Sequence, residues 1–228
     1  MTKLADFIDS LDEPGRPSPG FWIDPVTRLP SLDPPGPPDT PLYLAWNSFA
    51  LHPELLNDIE LSPAFVEDWL PSLPAPFHKV LSAVKNYFSA GLLIGPKDSQ
   101  IGLHADILHT HAYLAQLVGR KRCMLFSPAD TAAIYRGKID PDRPDLEKFP
   151  LFRSATAFES VLEPGEVLFI PSGWWHHVVA LEKSITVNYN FFNSVNFAAY
   201  LTDVLRELPA ILPALEALPE SKKDLGID

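Results

Sequence analysis

From Gly91 to Phe192, apolar residues alternate with polar ones in short runs broken by glycine, proline or aspartate. This is the period-two pattern of strands that bury one face. The runs are Gly91–Gly95, Ile101–Asp106, Ala112–Val118, Lys121–Phe126, Glu166–Ile170, Trp174–Val179 and Ser184–Phe192. No helical crossovers separate them, which predicts an antiparallel barrel or sandwich. Upstream, Leu4, Phe7, Ile8 and Leu11 recur at helical spacing over residues 3–12, and the stretches 63–70 and 76–88 are short-helix candidates. Prolines recur every few residues from Pro14 to Pro41; each removes a backbone donor, so this segment reads as an extended surface wrap or linker. Downstream, Phe197, Tyr200, Leu201, Val204, Leu205 and Leu208 share one helical face. Pro209 is expected to end or kink that helix, with a second short one beginning near Pro213.

Composition narrows the class. With 228 residues, 46% of them hydrophobic, the chain can bury one sizeable core and needs no second. The expected organisation is one domain over residues 1–228, with a proline-rich irregular segment at 13–41 and a helical region at 194–220. The single cysteine, Cys123, cannot close an intrachain disulfide, and neither a signal peptide nor a membrane-length apolar run is visible. The expectation is a soluble, cytoplasmic protein with no membrane partner. The net charge of −11 lacks the basic patch that phosphate contacts require, so no nucleic-acid partner is expected.

The chemistry sits in two segments. In His104-Ala-Asp106 the two polar residues are i and i+2 of a strand run, so both side chains leave the same face. Alone this is a weak signal. A later segment, Leu162-Glu-Pro-Gly-Glu-Val-Leu-Phe-Ile-Pro-Ser-Gly-Trp-Trp-His-His-Val-Val, places two turns around one strand and opens a second that carries His176 and His177. Two histidines and a carboxylate on one side of a metal leave positions open, the arrangement suited to iron(II) that must bind a co-substrate and dioxygen together. Strand alternation sends His176 and His177 to opposite faces, so only one of them reaches the same point.

Together, Gly102-Leu-His104-Ala-Asp106 and Pro164-Gly-Glu-x-Leu-Phe-Ile-Pro-x-x-Trp-Trp-His176 resemble the JmjC/cupin-like iron(II)- and 2-oxoglutarate-dependent oxygenases. The resemblance runs from about Leu42 to Phe192 and is greatest to the asparaginyl hydroxylase that modifies hypoxia-inducible factor. It implies a mainly β fold, a double-stranded β-helix (cupin/jelly-roll) barrel with flanking N-terminal helices and a C-terminal helical tail. It also implies Fe(II), 2-oxoglutarate and O2 as cofactor and co-substrates, with His104, Asp106 and His176 as metal ligands. Lys121 and Tyr43 match residues that hold the distal carboxylate of 2-oxoglutarate, and Asn188 matches an amide beside the metal. One departure is Ile101, where the resembled hydroxylase has a co-substrate-binding threonine; Gln100 or Ser99 could substitute. His109 and His111 are either site-facing or satisfied strand residues, and Trp174, Trp175, Tyr189 and Phe191 either wall the site or pack the core.

The activity implied is hydroxylation of a C–H bond, foremost in a peptide or protein side chain, with release of succinate and CO2. Action on a small molecule or a methylated side chain is the alternative, and a non-catalytic ligand-binding cupin a further one. Likeness to tRNA-modifying relatives around Pro144-Asp-Leu-Glu-Lys-Phe-Pro-Leu-Phe is set against the acidity. Substrate choice is expected to rest on residues 14–41 and 127–154. The resemblance also makes a homodimer through paired C-terminal helices the alternative to packing the apolar stripe on the chain's own barrel.

Overall fold

A turn that moves the chain from one sheet to another, rather than to the next strand of the same sheet, sets this architecture. The structure, a computed structural model, describes residues 22–23, 30–31, 44–46, 67–69 and 90–216. The helices expected over 3–12 and 76–88 lie outside the described residues, and within 63–70 only residues 67–69 are described, without regular structure. Eleven strands and one α-helix are described, with short 3-10 turns between them. They are β1 (Trp22–Ile23), β2 (Pro30–Ser31), β3 (Leu44–Trp46), β4 (Ala90–Gly95), β5 (Gln100–Ala105), β6 (His111–Val118), β7 (Lys121–Phe126), β8 (Ala157–Leu162), β9 (Val167–Ile170), β10 (Trp175–Ala180), β11 (Ser184–Phe191) and α1 (Phe197–Glu216). Within the proline-rich stretch, β1 and β2 form a short antiparallel ladder, so that part is not wholly irregular.

The strands from β3 onward form two antiparallel sheets, ordered β5-β10-β7-β8 and β3-β4-β11-β6-β9. From β4 to β11 each strand hands the chain to the opposite sheet, except that β7 and β8 are neighbours in one. The expected double-stranded β-helix barrel is therefore corrected. Among the described residues neither sheet closes on itself; β5 and β8 are edges of one, β3 and β9 of the other. Among the described residues no hydrogen-bond ladder joins the two sheets, and the layers meet through side-chain packing instead. Ala112 and Leu114 of β6, Ile170 of β9, Cys123 and Leu125 of β7 and Leu162 of β8 make that shared core.

The outer face of the four-stranded sheet has a second cover. Leu103, Met124, Phe126 and Trp175 pack under Ile134 and Ile139, from the long connection between β7 and β8. Gly137 permits this contact: its φ is +77°, and a Cβ there would stand 2.4 Å from the Leu103 carbonyl oxygen and 2.8 Å from the Trp175 ring. Residues 127–154, expected to select substrate, thus cover the face opposite His104 and His176. The strand β8 was missed because its residues, Ala-Phe-Glu-Ser-Val-Leu, are mostly exposed at a sheet edge, which weakens the alternation.

Helix α1 runs unbroken from Phe197 to Glu216, through Pro209 and Pro213, where two shorter helices were expected. Its stripe begins against the chain's own core: Tyr200 and Val204 are fully buried, and the Tyr200 ring stacks on Phe192 with centroids 4.2 Å apart. Leu205, by contrast, is 59% exposed.

Candidate metal centre

Strand register assembles the site. His176 on β10 pairs with His104 on β5 and, on its other side, with Leu125 of β7. The β5–β10 register then shifts between His176 and Val178, an irregularity of the kind that re-aims side chains at functional sites. Gly102 lies in that stretch, and its carbonyl accepts from His104 Nδ1 at 2.8 Å. His176 Nδ1 faces the Trp174 carbonyl at 3.3 Å. A ring nitrogen that faces a carbonyl carries the proton, so both Nε2 atoms present a lone pair.

Those lone pairs converge on one carboxylate oxygen. His104 Nε2 and His176 Nε2 lie 3.7 and 3.8 Å from Asp106 Oδ1, and the ligand atoms all fall within 4.8 Å of one another. These separations are too long for hydrogen bonds. They are near the spacing of donors that share one ion, since ligands at about 2.1 Å from a metal stand roughly 3 to 4 Å apart. Two imidazoles and one carboxylate are the donor set of non-haem iron(II) centres with open positions, so the residues present fit that ion.

Asp106 follows the end of β5 in extended conformation, which keeps it on the face of His104. The turn after it is unusual: Leu108 and His109 both have positive φ, 60° and 47°, a conformation that persists only where neighbours impose it. Here the His109 carbonyl accepts from Ser172 Oγ at 2.7 Å and from Asn196 Nδ2 at 2.8 Å. The His109 imidazole pairs with Asp203 of α1. His111 Nδ1 accepts from the Ser172 backbone N–H at 2.9 Å, and burial lowers its pKa, the Asn193 hydrogen bond opposing the shift. Both histidines are thus satisfied and outside the convergent set.

His177 points the other way. It is buried on the outer face, where Nε2 meets Asp142 Oδ2 at 3.1 Å, and the same carboxylate pairs with Arg122. Burial works to raise the Asp142 pKa, and its Arg122 and His177 partners outweigh that and lower it. Asp140, Asp142 and His177 form a second close group, but a guanidinium already occupies its central carboxylate.

Lys121 opens β7 directly after the Gly119-Arg120 turn, which needs glycine: φ is +71°, and a Cβ at Gly119 would stand 2.0 Å from the Lys183 carbonyl oxygen. Its register partners are Ala180 and Leu162, and it lies on the inner face with Cys123 and Leu125. It is only 1% exposed, and burial lowers its pKa to about 8, with Cys123 acting in the opposite direction. Asn188 is on the inner face of β11 and donates to Asn190 Oδ1 at 3.0 Å. Tyr43 lies outside the described residues. Neither candidate substitute at the Ile101 position is available: Ser99 Oγ donates to the Pro96 carbonyl at 2.7 Å, and Gln100 pairs with Val179, one residue out of phase with the inner-face Val178. Of the four aromatic candidates, Trp174 joins the inner cluster, Trp175 packs on the outer face, Tyr189 donates to Asp68 at 2.9 Å, and Phe191 is buried beside His111.

Sequence reasoning missed Asn190, whose Nδ2 donates to Asp106 Oδ2 at 2.9 Å. Its signal was present, because Thr186, Asn188 and Asn190 are alternate residues of one strand and must share its inner face.

Paired antiparallel sheets with a two-histidine, one-carboxylate cluster between them define a protein class, the JmjC/cupin type with a facial-triad site. Residues 37–197 match the cupin-like domain family, and the chain belongs to that family. It is 31% identical over 187 residues to tRNA wybutosine-synthesizing protein 5 of Danio rerio, covering 74% of this chain and 56% of that protein. To arginine-specific demethylase JMJ20 of Arabidopsis thaliana it is 29% identical, covering 69% of this chain and 37% of the relative. To 2-oxoglutarate and iron-dependent oxygenase JMJD4 of Gallus gallus it is 32% identical, covering 75% and 40% respectively. The chain spans a little over half the length of the tRNA wybutosine-synthesizing proteins of Danio rerio and Gallus gallus.

These likenesses make two corrections. They support the JmjC/cupin class and do not single out the hypoxia-factor asparaginyl hydroxylase. The exclusion of nucleic acid also falls, because relatives named for tRNA wybutosine synthesis match most of this chain. A net charge sums the whole surface, whereas phosphate contact needs only a local patch, so an acidic total was too coarse a criterion. Among the described residues no helix is long and apolar enough to cross a membrane.

Proposed function

We propose that this chain is an Fe(II)- and 2-oxoglutarate-dependent oxygenase that hydroxylates a C–H bond carried by a macromolecule. The observation that carries the reading is the convergence of His104 Nε2, Asp106 Oδ1 and His176 Nε2 between the sheets. His104, Asp106 and His176 would hold the iron. With iron and O2 present, the centre supplies oxidation of 2-oxoglutarate to succinate and CO2, coupled to insertion of one oxygen atom into the substrate C–H bond.

The chain's own residues hold the reactants. Lys121, buried on the same inner face, offers a compact ammonium to the distal carboxylate of 2-oxoglutarate. Asn188 offers an amide nearer the metal ligands. Apolar packing by Leu125, Val178 and Trp174 limits water around the site. The names of the relatives weigh toward a methylated side chain or a tRNA-borne group over an unmodified peptide. Hydroxylation of an N-methyl carbon gives a hemiaminal that releases formaldehyde, so one site serves hydroxylation and demethylation alike.

Anaerobic titration with Fe(II) and 2-oxoglutarate tests the centre and is expected to give the weak visible charge-transfer band of the chelate. Succinate release on adding methyl-arginine peptides, methyl-lysine peptides or tRNA then sorts the substrates. Absence of the band, with 2-oxoglutarate bound no more tightly than to the His104→Ala variant, would leave a non-catalytic cupin.

A further inference from the structure

We propose that Asn190 is a positioning residue that restricts Asp106 to one metal-facing oxygen and so keeps a coordination position open for the co-substrate. The inference rests on the iron-site reading above. Asp106 Oδ1 faces both imidazoles, while Oδ2 accepts from Asn190 Nδ2 at 2.9 Å. An amide can be placed in either sense, but its oxygen against a carboxylate would be repelled, so the NH2 group must face Asp106. That choice sets the rest of the chain of bonds. The same NH2 group reaches Thr110 Oγ1 at 3.0 Å, and Asn190 Oδ1 must then accept, which it does from Asn188 Nδ2 at 3.0 Å.

Asn190 is buried, so water does not compete for these bonds, and every polar edge of the amide is occupied. It stands on β11, in the sheet opposite β5. The carboxylate that leaves the end of one sheet is therefore oriented from the other. A metal-bound carboxylate can use one oxygen or two. If Oδ2 were released, it could swing onto the ion and fill a position that a bidentate keto acid and O2 require. Holding Oδ2 on an amide donor prevents this.

The test uses the full chain loaded with Co(II), whose visible absorption reports coordination number, and follows titration with 2-oxoglutarate. Asn190→Leu preserves volume and removes the donor. It is expected to weaken Co(II) binding about 10- to 100-fold, the usual effect of losing an outer-shell partner. At saturating Co(II) it should also raise the 2-oxoglutarate Kd at least about tenfold and shift the cobalt spectrum before co-substrate is added. Asn190→Ser keeps a donor and should recover part of both affinities. Should Asn190→Leu fail to fold, Asn190→Ala against Asn190→Ser makes the same comparison. A donor-free variant that folds, binds Co(II) and 2-oxoglutarate within about threefold of wild type and keeps its spectrum overturns the proposal. So does equal loss in the serine variant, which would assign Asn190 to packing alone. A wild-type chain that binds no Co(II) sinks the iron-site reading itself, and this inference with it.

Discussion

Lys121 and Asp106 show how a single side chain is set by its surroundings. Burial lowers the Lys121 pKa to about 8, yet the ammonium is the form that pairs with a carboxylate. Below that pH the ligand-free site is charged and 2-oxoglutarate affinity should be flat; above it, affinity should fall by up to about tenfold per pH unit. Calorimetric titration across pH 7 to 9, by about one unit each side of the transition, reads this directly. Lys121→Met should abolish the pH dependence and raise the Kd roughly 10- to 100-fold, the loss of one charge-assisted bond. An unchanged Kd would move the anchor elsewhere, and not to Arg122, which is next on the strand but pairs with Asp142 on the outer face. The linkage sign is also fixed: the folded pKa lies below the ordinary lysine value of 10.5, so the unfolded chain binds more protons between the two. This lysine's contribution to stability therefore rises with pH over that interval. At the triad, His104→Ala and Asp106→Ala should each abolish succinate formation, since removing one donor of three loses both affinity and geometry.

Strands decide which of two adjacent histidines reaches the site. In β10, His176 faces His104 across the ladder, and His177 turns to Asp142 on the outer face. His177→Ala should keep metal binding and His176→Ala should lose it, as measured by Co(II) titration; the reverse would mean a register slip of one residue. The cover over residues 127–154 depends on the same strand. Asp142→Ala strands a buried imidazole and leaves Arg122 only its Glu159 partner, with an expected loss of about 1–3 kcal/mol in chemical denaturation. Metal affinity should not move, because the broken contacts lie on the far side of the sheet. A matching loss of metal affinity would mean that the outer face controls the inner one.

Across the whole molecule, α1 is tied to the turn that follows Asp106. Asp203 pairs with His109, while Tyr200 and Val204 are buried. The stripe that the sequence left open to a second copy is thus taken up, in its first turns, by the chain's own fold. Val204→Asp should destabilise the protein by more than about 3 kcal/mol, the penalty for an unpaired charge in a closed core. Leu205→Arg, one residue further and 59% exposed, should stay within about 0.5 kcal/mol. Thermal unfolding of the two variants separates these outcomes, and equal effects would mean that the helix face has been misassigned.

By itself, the sequence determined the strands whose alternation is strong and the opposite orientation of His176 and His177. Both follow from a period of two along one segment, and such local geometry needs no partner. His104, Asp106 and His176 were a candidate triad only through the family resemblance, and it is the fold that brings their ligand atoms within 4.8 Å of one another. The short edge strand β8, the unbroken course of α1 through Pro209 and Pro213, and the open pair of sheets in place of a closed barrel were settled only by tertiary structure. Edge exposure erases alternation, the local penalty of a proline does not by itself end a helix, and closure depends on which strands finally pair. Asn190 belongs between the two: its face was legible from Thr186 and Asn188. Its partner Asp106 was not, because that hydrogen bond joins opposite sheets at a separation of 84 residues, and only the folded chain brings them together.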